Sequence, residues 1–323
     1  MKTMKNISKC LAAILLVVNL SSCVDLEPEP LSFFAPENTF MDKEGLEALL
    51  ITSRKQIKWE WFGDAFNAGY CETPLVYEYA WSDVSVMGAP EVKEIHNLET
   101  QLTPTTSMAL HLRYWDLAWN GIKYANTVIS RVPKSTIDNE TDKNELLAEG
   151  YFHRAYWYYL LVNQWGDVPL LLEEITEPKL DFYTVSRMKI LQQMKTDMEF
   201  AVKWLPKNVK PGCVNRAAGE HLLAKIYLST GDFQLAVDAT TRCINDYGLH
   251  LMKERFGVNA EDASLDVFND LFQEDNISSS ENKEAIFVVQ ERYGIEGNVA
   301  PNGSARMRNF VPYWCNGCLL YTS

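Results

Sequence analysis

The chain has 323 residues, 30 Lys and Arg against 43 Asp and Glu, and a formal net charge of −13. That balance excludes a nucleic-acid binder, which needs clustered cations, and a polybasic membrane-surface protein. Hydrophobic residues at 47% and aromatics at 12%, nine of them Trp, suffice for a real core in one large or two ordinary domains.

The N-terminal segment reads as an address. Lys2, Lys5 and Lys9 precede an apolar run from Leu11 to Val18, and Leu20-Ser21-Ser22-Cys23 follows. A positive end, a short apolar stretch and small residues before the cleavage point make a secretory signal. The run is too short to span a bilayer. Leu-Ser-Ser-Cys also resembles the lipobox of bacterial lipoproteins, in which the cysteine is acylated and becomes the new N-terminus. The expectation is a lipoprotein signal peptide over 1–22, acylation (palmitate) at Cys23, and an acylated flexible tether over 23–35. There Asp25, Glu27, Pro28, Glu29 and Pro30 favour extended chain over packing. An ordinary secretory signal with an incidental Cys23 is the alternative.

Residues 59–105 carry Trp59, Trp61, Phe66, Tyr70, Tyr77, Tyr79 and Trp81 among Gly, Pro and Asp, which reads as an aromatic-rich loop. Helices follow. Met108, Leu112, Trp115, Trp119, Ile122, Val128 and Ile129 recur at helical spacing over 107–131, ended by Pro133. Leu147, Phe152, Ala155, Tyr159 and Val162 share one side over 144–165, with Gly166 as the stop. Ser186 is placed to cap a helix bearing Ile190, Met194, Met198, Ala201 and Leu205. Asn215 and Asp232 are placed to cap helices through Leu228 and Ile244.

The last two helices carry Leu223, Ala224, Tyr227, Gly231, Phe233 and Ala236 at the spacing of a tetratricopeptide repeat. Small Ala224 and Ala236 allow close approach, Gly231 makes the turn, and Tyr227 and Phe233 are expected to plug the groove. One such pair cannot bury its own face, so the earlier helices should stack on it. Residues 257–283 are acidic and polar and read as an exposed loop, and Ala285 to Gln290 is the best strand candidate. The abrupt ending after Cys318 suggests a truncated reading frame. The fold class expected is mainly α, a tetratricopeptide-like helix-pair scaffold with long aromatic-rich loops and little β.

Catalytic signatures are missing. There is no Gly-x-Ser-x-Gly elbow, His-Glu-x-x-His or phosphate loop, and His96, His111, His153, His221 and His250 are isolated in sequence. Cys315-Asn316-Gly317-Cys318 has metal or redox spacing, but no second pair or His stands near it. No catalytic residue, metal or cofactor is expected.

Four blocks together resemble the SusD/RagB-like outer-membrane lipoproteins. They are Trp115-Asp116-Leu117-Ala118-Trp119-Asn120-Gly121-Ile122-Lys123-Tyr124-Ala125-Asn126, then Ala148 to Leu160 continuing through Trp165-Gly166-Asp167-Val168-Pro169-Leu170, then Asn215 to Leu228, then Glu284 to Gln290. The resemblance implies an N-terminal helical region over 36–255 with tetratricopeptide-like units, and over 256–323 a loop and the start of a truncated C-terminal region. It also implies a surface protein anchored in the outer membrane that captures glycans, less often peptides, without turnover. Its implied partner is a SusC-like TonB-dependent transporter barrel. A surface glycan-degrading enzyme and a structural helix-repeat interaction protein are the alternatives.

The family does not fix ligand contacts by motif, so the candidates come from chemistry. Flat aromatic faces cover the C–H faces of sugar rings, and neighbouring polar groups bond the hydroxyls. Loop aromatics Trp59, Trp61, Tyr70, Tyr79 and Trp81, with Asp64, Asn67 and Asp83 beside them, are the expected ligand-binding residues. Trp115, Trp119, Tyr151, Tyr156 and Trp157 fall at helical spacing and are expected in the core. Arg154 and Asp167 are expected to pin helix ends and turns.

Overall fold

The computed structural model describes residues 40–62, 84 and 109–290. Cys23 and the segments expected as signal and tether lie outside the described residues, as does the Cys315–Cys318 pair.

The helices are α1 (Lys43–Phe62), α2 (Ala109–Arg131), α3 (Glu140–Gln164), α4 (Arg187–Trp204), α5 (Arg216–Thr230), α6 (Phe233–Asn245) and the short α7 (Val267–Leu271). Each of α2 to α5 packs on the next, and α1 packs on α2 and α3. Arg154 with Asp197 and Asn163 with Arg187 show α3 and α4 running antiparallel. The fold is mainly helical, as expected. The strands β1 (Val168–Pro169) and β2 (Thr184–Val185) form a minimal antiparallel pair, Val168 opposite Val185.

The helix α1 replaces an expected loop at 59–62. No Gly or Pro interrupts the chain between Gly45 and Gly63, and Leu46, Leu50, Ser53, Ile57 and Glu60 bury one stripe. Trp59 and Trp61 therefore stand in the last turn of a helix. Two apolar clusters result. The larger joins α2 to α6 through residues such as Trp157, Tyr158, Met194, Met198, Leu223 and Ile226. The smaller seats Leu46, Leu49 and Leu50 of α1 on Val128, Val132, Ile137 and Leu146. Full burial of a side chain of this size contributes about 1.5–3 kcal/mol.

The α5–α6 pair has the expected close approach. Ala224 and Ala236 are buried, and Gly231 turns the chain at φ 84°, a conformation that favours glycine. Tyr227 fills the groove, but Phe233 does not, being 65% exposed. It stands at the first position of α6, outside the set Ala236, Ala239 and Cys243 that this helix buries.

Two further expectations are corrected. Ala285 to Gln290 forms no strand. Among the described residues it finds no ladder partner, and instead lies as a strap, with Ile286, Phe287 and Val289 packed on the larger cluster. Asn215 Nδ2 donates to Ile286 O at 2.9 Å to hold it. The polar segment 257–283 is not simply exposed either. It includes α7 and gathers around buried Asp270, Asn276 and Asn282.

Candidate functional site

The caps show how the family-like blocks build the scaffold. Asn215 Oδ1 accepts from Ala218 N at 2.7 Å, as its cap position requires. Ser186 stands at the start of α4 without capping it through its side chain. Asp167 supplies the bond instead, accepting from Arg187 N at 2.8 Å across the β1–β2 connection. Asp232 also leaves its own helix uncapped, because its carboxylate takes Lys195 Nζ at 2.8 Å and Thr230 Oγ1 at 2.6 Å.

The segment after β1 is pinned to α2 and α3 by buried polar groups. Asn126 Nδ2 donates to Leu171 O at 2.9 Å, Arg154 Nη1 to Leu172 O at 2.8 Å, and Leu171 N to Tyr158 Oη at 2.6 Å. Burial pushes the Tyr158 hydroxyl well above its ordinary value, so it stays neutral and can both donate and accept. Arg131 grips Glu174 with two bonds, at 2.9 and 2.6 Å. An open hollow of about 550 Å³ is lined by consecutive residues Leu170–Lys179 of this segment. It gathers no side chains from a second element and offers no convergent site.

Aromatic groups converge elsewhere, where the last turn of α1 meets the first turns of α2 and the far half of α3. Trp115 stands edge-on to Trp119 and to Trp165, with ring centroids 5.4 and 5.3 Å apart. Tyr114 lies 5.9 Å from Trp165. Trp59, Trp115, Trp119, Tyr156 and Trp165 are half-buried against the larger cluster, whereas Trp157 is fully buried. The expectation of helical aromatics in the core thus holds fully for Trp157, and the others form the rim of the core.

At this end the fully buried carboxyl of Glu60 ties three helices. Tyr114 Oη donates to Oε1 at 3.3 Å and Tyr156 Oη to Oε2 at 2.7 Å. Of the expected ligand contacts, Trp59 lies here, half-buried, and Trp61 belongs to the same helical turn. Asp64, Asn67, Tyr70, Tyr79, Trp81 and Asp83 lie outside the described residues. They belong to the chain that joins α1 to α2, and both of those helix ends stand at the aromatic end. Glu60 and Tyr114 escaped the sequence reading, and Tyr156 was expected only as a core aromatic. The available signal was a carboxyl in register with the apolar stripe Leu46, Leu50 and Ile57.

Residues 71–228 match the family of SusD-like proteins described as "starch-binding associating with outer membrane". The chain is 27% identical over 238 residues to SusD-like protein P2 of Formosa agariphila, covering 72% of this chain and 45% of that protein. By sequence and by fold the chain resembles SusD-like proteins. Its fold is similar to a SusD superfamily protein from Bacteroides vulgatus, with a TM-score of 0.63 at 20% identity over 78% of this chain and 51% of that one. It is also similar to a laminarin-binding SusD-like protein, with a TM-score of 0.54 at 23% identity over 65% and 46% of the two chains. The chain spans about half the length of these relatives.

Proposed function

We propose that this SusD-like protein is a surface lipoprotein that captures nutrient glycan without turning it over and hands it to a TonB-dependent transporter barrel. The observation that carries the reading is the half-exposed aromatic end around Trp59, Trp115 and Trp165 in a chain that matches a family described as starch-binding and outer-membrane-associated. The laminarin-binding neighbour supports a polysaccharide ligand. Acylation of Cys23 would anchor the protein, since each buried methylene adds about 0.8 kcal/mol of membrane affinity and more than one chain is needed for durable attachment. Residues 23–35 would then act as the tether, and Trp61, Asp64, Asn67, Tyr70, Tyr79, Trp81 and Asp83 as ligand contacts beside Trp59.

The test is retention of the purified full-length protein in native gels containing laminarin or starch, with the polysaccharide assayed for shortening. Retardation without shortening is expected. Loss of polysaccharide mass would overturn the binding-only reading, and co-purification of a barrel without glycan retention would replace it with a structural role. A fatty-acid probe should label the wild type and not Cys23→Ala; persistent labelling of that variant would overturn the anchor assignment.

A further inference from the structure

We propose that Glu60 is a positioning residue for glycan capture, a role that rests on the function proposed above. The stripe of α1 that faces the bundle reads Leu46, Leu50, Ser53, Ile57 and Glu60, all buried. An apolar side chain at position 60 would continue it. A buried carboxyl is costly unless hydrogen-bonded, and departures from a local pattern concentrate at functional sites.

The hydrogen bonds show what the carboxyl does. Its Oε1 accepts from Tyr114 of α2 and its Oε2 from Tyr156 of α3, so one group fixes the rotation of the last turn of α1 against two other helices. That turn carries Trp59 and Trp61. Tyr114 and Tyr156 are themselves part of the aromatic packing, 5.9 Å from Trp165 and 5.2 Å from Trp157 respectively. Glu60 has no exposed surface. It acts through the groups around it and touches no ligand. A binding surface held in place before the ligand arrives loses less entropy on association, and two bonds on one carboxyl supply that constraint.

The test compares variants of the purified full-length protein in laminarin and starch gels. Glu60→Gln keeps the shape, so circular dichroism and cooperative melting should persist while retention weakens by about tenfold, or about 1.4 kcal/mol. Tyr156→Phe removes the shorter bond and should weaken retention in the same direction. The double variant should be no weaker than Glu60→Gln alone, because both changes remove one shared contact. Val128→Ala loosens the smaller cluster and should keep full retention, which separates positioning from general loss of stability. Unchanged retention by Glu60→Gln of a glycan that holds the wild type overturns the proposal, as does equal weakening by Val128→Ala. A wild-type protein that neither gel retards overturns the glycan-capture reading itself, and the positioning role with it.

Discussion

The indole of Trp157 occupies the space that a side chain at Gly121 would need. A Cβ built on Gly121 would fall 2.0 Å from Trp157 Nε1 and 2.3 Å from Cδ1, and Trp157 is fully buried. Glycine inside a helix is about 1 kcal/mol less favourable than alanine, so Gly121 is tolerated for the close crossing of α2 and α3. Gly121→Ala should therefore destabilise despite its better helix propensity, by about 1–3 kcal/mol as expected for overpacking. Urea unfolding measures this, and an unchanged or raised midpoint would refute the account.

Arg154 and Asp197 form a buried pair between α3 and α4. Arg154 Nε donates to Asp197 Oδ2 at 2.8 Å, and both residues are nearly inaccessible, at 3% and 4%. Arg154 also reaches Asn126 Oδ1 and Leu172 O, while Gln193 Nε2 donates to Asp197 Oδ1. Removing one partner strands the other charge, so Arg154→Met should cost about 3–5 kcal/mol. Replacing both, as Arg154→Met with Asp197→Leu, should recover part of that loss. Thermal melting of the three proteins decides it: a single variant as stable as wild type, or a double variant worse than the single, would sink the argument.

The helices were legible because their apolar spacing survives into the packed state: Ile190, Met194, Met198 and Ala201 are all buried as their period requires. Cap chemistry was legible only where it is local. Asn215 caps its own helix, but the bond at the start of α4 comes from Asp167, twenty residues upstream of its partner in sequence, where no local pattern points. Periodicity also cannot tell a strand from a strap. The β-branched Ile286, Val288 and Val289 suit either, and the lack of a neighbouring ladder among the described residues is a tertiary fact. Of the candidate site, aromatic composition pointed to Trp59 and periodicity placed Tyr156 in the core, but neither tied Tyr114 and Tyr156 to Glu60, 54 and 96 residues away.

The guanidinium of Arg255 organises the polar segment before the strap. Its Nε and Nη2 meet Asp270 Oδ2 and Oδ1, its Nη1 meets Asp262 O and Leu265 O, and Nη2 also meets Asn259 O. Five donors thus have five acceptors. The Asp270 carboxylate, which also accepts from Phe256 N, is held below its usual range chiefly by its bond to Arg255. Arg255→Lys keeps the charge but cannot span this fork. Amide exchange over 256–282 should accelerate by about tenfold or more as the acceptors of Arg255 lose their donors, while α2 to α5 keep their protection. Exchange that rises equally in α3 and α4 would show that the segment is not an independent unit.

The contact between Arg54 of α1 and Glu149 of α3 gives the fold a pH dependence of definite sign. Arg54 donates from Nε at 2.6 Å and from Nη2 at 2.8 Å to the two oxygens of Glu149. Burial alone would push the Glu149 carboxyl up, but the neighbouring His153 and Arg54 outweigh it and hold the group below its ordinary value. A carboxyl depressed in the folded state contributes stability that is complete above its unfolded pKa, about 4.3. That contribution is lost as pH falls through the folded-state value. The advantage of wild type over Glu149→Gln should therefore be full near neutral pH and shrink only in acid, below the ordinary carboxylate range. Urea midpoints of the two proteins from about pH 7 down to about pH 3 follow that window. An advantage that grows toward acid would mean that desolvation, and not His153 and Arg54, governs the group.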